Sequence, residues 1–350
     1  MQRQKRRLSP QDRETVRSQA SLPRASWRSR ALAEVSALAL RPLLAGLPSS
    51  HAGVRLIRRL VSGSLAFAGP TASGTATHQV EESVASGLTV RGEWVRGPGA
   101  DRRDAVLLYL HGSGYAVCSA RTHRGLTSRL SGMTGLPVFA CDYRLAPHHR
   151  FPAAGDDVVA AYDWLIGQGW PPERIVVAGD SAGGHLAVDL VLELSRNDRP
   201  LPPAVVLFSP LFDVTFGLAD QREQQVGRDP LVSAARARRL LSLYTDGADL
   251  THPRLTFDFQ HAGALPPILI QAGAREMLAA DAEHLAEALR GAGGRCELQV
   301  WPDQMHVFQA LPVLVPEAEI ALGRAAAFLS AELAVSESLS ADPERHRVVV

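Results

Sequence analysis

Gly179-Asp180-Ser181-Ala182-Gly183 sets a serine hydroxyl among small residues, the pattern a nucleophile requires on a sharp strand-to-helix turn. The apolar run from Arg174 to Ala178 leads into it, and Ala187, Leu190, Val191 and Leu194 lead out at helical spacing. Glycines at 179 and 183 let strand and helix crowd together, lifting Ser181 above the edge of a sheet.

A serine hydroxyl attacks only when a base takes its proton and an acid fixes the tautomer of that base. On this kind of turn the expected chain order is serine, acid, histidine. Downstream of Ser181 stand His185, His252, His261, His284 and His306. His185 lies one turn into the following helix and is expected to point away from the mouth. His284 falls within an amphipathic helix, and His252 and His261 fall in an irregular stretch. His306 directly follows the last strand, on the sheet edge that should carry Ser181, and is the expected base. Two acids follow the preceding strand, Glu276 in a loop and Asp281 at a helix start. Aspartate at a helix start has a ready structural task, accepting bonds from the first free N–H groups, so Glu276 is preferred. His111-Gly112-Ser113-Gly114 follows an earlier apolar strand, and the N–H groups of Ser113, Gly114 and Ala182 are the expected oxyanion donors.

The elements that must position these groups read as alternating strands and helices. Buried strands are expected at 105–110, 136–141, 174–178, 204–208, 267–271 and 296–301. Helices are expected at 153–167, after Ser181, at 281–290 and at 316–333, which implies a parallel sheet covered on both faces. The division expected is a basic tail over 1–28, a helical cap segment over 29–75 broken near Pro48-Ser49-Ser50, and a catalytic domain over 76–335. Residues 213–263 interrupt the alternation and read as a cap insertion with a helix over 232–244; 336–350 reads as a tail.

The 350 residues, 46% hydrophobic, suffice for one large α/β domain, and a net charge of +1 exerts no global pull on nucleic acid. The charge is uneven: the first sixty residues hold thirteen cations against Asp12, Glu14 and Glu34. That basic N terminus could touch anionic membrane weakly or meet a partner; a solvated tail followed by helices with outward arginines is the simpler reading. Cys118, Cys141 and Cys296 are odd in number and lack metal spacing, so free thiols in a reducing compartment are expected. No secretory signal or membrane span is visible, which leads to a cytoplasmic expectation.

Four signatures in order, His111-Gly112-Ser113-Gly114-Tyr115, Asp142-Tyr143-Arg144-Leu145-Ala146-Pro147, Gly179 to Gly184, and Met305-His306-Val307, resemble the hormone-sensitive-lipase-like branch of the α/β-hydrolases. The resemblance spans about residues 80–335. It implies a mostly parallel sheet of about eight strands with helices on both faces and a helical cap. It also implies Ser181 as nucleophile, Glu276 as acid and His306 as base, with no cofactor and no metal. Three positions depart from the family pattern: Ser113 stands where a glycine is usual, Glu276-Met277-Leu278 replaces Asp-Pro-Leu, and His148 replaces a common glutamate. The expected activity is hydrolysis of short- to medium-chain acyl or acetyl esters through an acyl-serine. The same triad could serve an amide deacetylase or lactone hydrolase. A ligand-binding receptor on a hydrolase scaffold is the reading from another class, though such receptors lose the histidine retained here as His306. The expected partner is a small-molecule ester, with a homodimer as an option. Tyr115, Phe212 and Phe308, with Phe216, are candidates for an apolar acyl pocket and equally plausible as ordinary core.

Overall fold

The computed structural model describes residues 22–46, 51–112, 114–260 and 262–341. Most of the basic tail, the break at 48–50, Ser113, His261 and the chain from 342 onward lie outside the described residues.

The chain opens with helix α1 (Trp27–Val35), a π-helical turn at Ser36–Leu40, α2 (Arg41–Gly46) and α3 (His51–Ala68). Strands β1 (Ala76–Ser83), β2 (Thr89–Arg96) and β3 (Val106–Leu110) follow, then α4 (Arg124–Thr134), β4 (Val138–Cys141) and α5 (Ala153–Gly167). Next come β5 (Ile175–Asp180), α6 (Ala182–Arg196), β6 (Val205–Phe208), α7 (Gly217–Gln225) and α8 (Ala234–Thr245). The last elements are β7 (Ile268–Gly273), α9 (Ala279–Gly291), β8 (Cys296–Trp301) and α10 (Glu317–Ala341). Helix α10 thus runs past the expected end at Leu333 and takes in the first residues assigned from sequence to a tail.

The eight strands form one sheet in the order β1-β2-β4-β3-β5-β6-β7-β8. From β4 to β8 every pairing is parallel. The β1–β2 and β2–β4 pairings are antiparallel, and the β1–β2 hairpin is an element that the expected strict alternation missed. Strand β1 buries only Val80, so no apolar alternation marks it.

Because successive side chains on a strand face opposite ways, β3 feeds two cores. Val106, Leu108 and Leu110 face the layer built with α5, α6 and α9, whereas Leu107 and Tyr109 face α4 and α10. The central strands are buried on both faces, which accounts for their unbroken apolar sequence. Within the 213–263 insertion, Arg254 binds Asp189 of α6 (Nη2 to Oδ2, 2.9 Å) and Asp156 of α5 (Nη1 to Oδ1, 2.8 Å), pinning the insertion to the body.

A tight approach lies where β5 turns into α6. A Cβ on Gly183 would stand 2.0 Å from the Leu110 carbonyl oxygen, and one on Gly179 would stand 2.4 Å from the Gly183 carbonyl oxygen. Gly183→Ala should therefore destabilise the fold by about 1–3 kcal/mol, the usual range for overpacking. Gly323→Ala, within α10 and with nothing inside 4 Å of the new methyl, should stabilise it by about 0.5–1 kcal/mol. Paired denaturant melts check both signs.

Candidate active site

Ser181 sits between β5 and α6 with φ 52 and ψ −118, a conformation that costs a non-glycine residue about 1–3 kcal/mol. Its backbone is held on three sides: its N–H donates to Phe208 O (2.9 Å), and its carbonyl accepts from Leu211 N (3.0 Å) and His185 N (3.2 Å). Although Ser181 occupies the cap position of α6, its hydroxyl makes no cap bond. The hydroxyl instead lies 3.1 Å from His306 Nε2.

His306 follows β8 and donates from Nδ1 to Glu276 Oε2. That commitment leaves Nε2 as the acceptor for the serine proton. Glu276 lies just beyond β7 and is itself fixed, its Oε1 accepting from Gly273 N at 2.6 Å. Burial disfavours a charge on His306, but the Glu276 carboxylate outweighs it and holds the imidazole above its ordinary value. Three side chains far apart in the chain therefore form one relay, and Glu276 rather than Asp281 completes it.

Asp281 has a different task from the expected cap. Leu278 is the cap residue of α9 and makes no side-chain bond there; Asp281 sits in the first turn. Its Oδ1 accepts from the backbone N–H groups of Phe212 (2.9 Å) and Asp213 (2.8 Å), fastening the loop after β6. Its Oδ2 is buried without a partner, and burial pushes the carboxyl up to about 7.

Ala182 opens α6, so its N–H has no intrahelical acceptor and is available to an oxyanion. Gly114 has φ +51, and a Cβ there would meet Leu240 Cδ2 of α8 at 2.9 Å, so the insertion lies directly over this loop. Ser113, the third expected donor, lies outside the described residues. The N–H of Gly112 is already used, donating to Asp180 Oδ1 at 2.8 Å.

Sequence reasoning gave no role to the Asp180 side chain, to Tyr109 or to His123. The same Oδ1 accepts from Tyr109 OH (2.6 Å), and Oδ2 lies 3.4 Å from His123 Nε2. Burial works to raise the Asp180 carboxyl, but His123 and the other donors outweigh it and hold the group below the usual carboxylate range. Tyr143 of the second signature donates to His111 O (2.6 Å) and stacks on the His111 ring with centroids 4.4 Å apart. Arg144 Nε binds Asp157 Oδ1 at 2.9 Å. The two signatures flanking the oxyanion loop thus act as its scaffold.

The acid loop has its own clamps. Arg222 of α7 donates to the carbonyls of Glu276 (2.9 Å) and Ala274 (2.8 Å), and Asp229 Oδ2 accepts from Met277 N (2.9 Å). Ser209 Oγ accepts from Val307 N at 3.0 Å, beside His306. Only tertiary contacts give these residues their roles, so spacing alone carries no signal for them.

The remaining expectations sort cleanly. His185 is buried, donates from Nε2 to Leu255 O (3.2 Å) and accepts the Tyr115 hydroxyl at Nδ1 (2.8 Å); burial lowers it to about 4. His252 and His284 are exposed. Tyr115 is 1% exposed and stacked on Tyr244, so it braces the loop and lines no open pocket. Phe308 has no accessible surface and packs on Trp301 beneath α10, which removes it from the acyl pocket. Phe216 is likewise buried, leaving half-buried Phe212, near Phe257, as the pocket candidate. Among the described residues no group of three or more His, Cys, Asp or Glu side chains is placed to hold a metal ion.

A family model for the alpha/beta hydrolase fold matches residues 107–310. The chain is 40% identical over 237 residues to an acetyl-hydrolase from Streptomyces hygroscopicus, a match covering 68% of this chain and 78% of that protein. It is 38% identical over 252 residues to the carboxylesterase/phospholipase LipF of Mycobacterium tuberculosis, covering 67% of this chain and 65% of LipF. The crystal structure of an esterase from the bacterial hormone-sensitive lipase family superposes with a TM-score of 0.78 at 34% identity, covering 88% of this chain and 99% of that one.

Two pH experiments test the electrostatics. A base must be neutral to accept a proton, so hydrolysis should fall as pH drops through a His306 value held above 6.5. Glu276→Gln removes the carboxylate and leaves burial, so the acid limb of kcat/KM should move to lower pH while the rate drops by about 10⁴-fold. For Asp281 the folded value of about 7 exceeds the unfolded value of about 3.9. The stability it contributes is full below the unfolded value and is lost as pH rises through the folded one. Against Asp281→Asn, which cannot ionise, the wild-type Tm should fall increasingly behind from about pH 4 to about pH 7 and then run parallel.

Proposed function

This chain belongs to the hormone-sensitive-lipase-like branch of the α/β-hydrolases and is an esterase-type hydrolase, and from that premise we propose that Ser181, His306 and Glu276 cleave short- to medium-chain acyl or acetyl esters. The observation that carries this reading is the continuous relay from Ser181 Oγ through both His306 nitrogens to Glu276.

His306 Nε2 takes the Ser181 proton as Oγ attacks the ester carbonyl carbon. The resulting oxyanion is met by the Ala182 and Gly114 N–H groups, with Ser113 as the third donor. Collapse of the tetrahedral intermediate expels the alkoxide, which receives the proton from His306 Nε2 and leaves as the alcohol. Water then gives its proton to His306, its oxygen attacks the acyl carbon, and the carboxylic acid departs as Ser181 regains its hydrogen. Glu276 stays ionised throughout and steadies each imidazolium.

The acetyl-hydrolase and carboxylesterase names of the relatives support a small ester as partner. The free thiols at Cys118, Cys141 and Cys296 suit a reducing, cytoplasmic location. No helix among the described residues is long and apolar enough to cross a membrane.

Ser181→Ala should lower kcat by about 10⁶-fold on a soluble acyl ester, with the fold unchanged by circular dichroism. A fluorophosphonate should label the wild type and spare the variant. Esters, N-acetyl compounds and lactones assayed side by side at neutral pH rank the three chemistries, and turnover confined to amides or lactones would overturn the ester reading.

A further inference from the structure

Eight of the fifteen large hydrophobic residues exposed among the described residues fall between Trp27 and Phe67. Their spacing is regular. On α3, Val54, Ile57 and Val61 turn inward to the core, so the ordinary amphipathic face of that helix is accounted for. A second stripe, Leu56 (44% exposed), Leu60 (37%) and Phe67 (74%), runs down an adjoining, outward side of the helix at i, i+4 and i+11. Arg55 and Arg59, both exposed, border it on one side. Helix α1 and the π-turn after it repeat the pattern with Trp27 (72%), Val35 (58%) and Leu38 (80%), beside exposed Arg30.

Both helices are tied to the rim of the site. Arg58 of α3 donates to Ala116 O (2.9 Å) and Ala146 O (3.2 Å), beside the oxyanion loop. Glu34 of α1 pairs with Arg275 (2.8 Å), the neighbour of Glu276. The charge of the chain is sorted in the same direction. Residues 1–60 carry thirteen cations and three acids, whereas the remaining 290 carry twenty-four cations and thirty-three acids.

We propose that the outward face of α1 and α3 docks on an anionic lipid surface, with the apolar stripes entering the headgroup boundary, the arginines on lipid phosphates, and the catalytic mouth facing esters held in that surface. An apolar stripe fringed by arginine is the composition of an interfacial helix. A second copy of the chain fits this face poorly, because two facing α3 helices would bring the Arg55 and Arg59 of both copies together while neither helix carries an acid to pair them. Docking needs no chemistry at Ser181; only the delivery of substrate rests on the hydrolase reading.

The full chain is floated with vesicles of phosphatidylcholine alone and of phosphatidylcholine with phosphatidylglycerol, at low and high salt, using Ser181→Ala in parallel. Both proteins are expected to bind the anionic vesicles and to lose binding as salt rises. Leu56→Ser/Leu60→Ser/Phe67→Ser should weaken binding by roughly tenfold or more, and Arg55→Glu/Arg59→Glu by at least roughly 25-fold, from about fivefold per charge. Both variants should keep the wild-type melting curve and wild-type turnover of soluble p-nitrophenyl acetate, while turnover of a vesicle-borne ester falls. Equal binding to both vesicle types, no binding by the wild type, or undiminished binding by the triple serine variant overturns the proposal. So does a wild-type dimer that the triple variant converts to monomer, which would assign the face to subunit contact. A protein that binds as described yet hydrolyses nothing would refute the ester reading and leave the docking intact.

Discussion

Burying the Asp180 carboxylate beside the nucleophile is the constraint on which the site is organised. A carboxylate with 2% exposure is tolerated only if its oxygens are occupied, and here they gather Gly112 N, Tyr109 OH and His123. Those partners come from β3, from the loop after it and from the turn before α4. One buried charge thus joins the end of the nucleophile strand to the oxyanion loop. The same bond takes the Gly112 N–H out of the set of donors that loop can offer to a substrate.

The strained backbone at Ser181 is stable for a related reason. A residue at φ 52 persists when its surroundings overdetermine it, and Phe208, Leu211 and His185 each bind its backbone. The absence of Cβ atoms at 179 and 183 allows α6 to begin against β3 and β5. The cost is borne locally and returns as a hydroxyl free of capping duty, directed at His306.

Much of this was legible in the amino-acid order because it rests on local rules. The buried central strands announce themselves as apolar runs, the turn at Ser181 by its glycines, and Glu276 and His306 by following strands in the expected order. The hairpin β1–β2 was hidden because β1 is solvated along nearly its whole length. Asp281 looked like a helix cap because proximity to a helix start is visible in sequence, whereas the loop it reaches, at Phe212 and Asp213, is nearly seventy positions away. Tyr115 and Phe308 were ambiguous for the same reason: an aromatic ring near an active-site motif serves a core or a pocket equally well until its neighbours are known.

Arg222 links two parts of the molecule usually considered separately. Its guanidinium joins α7, in the roof, to the carbonyls of Ala274 and Glu276 in the floor. Roof and acid loop are thereby fastened to one another, and α7 cannot move away from the body without giving up two bonds to the backbone that carries Glu276.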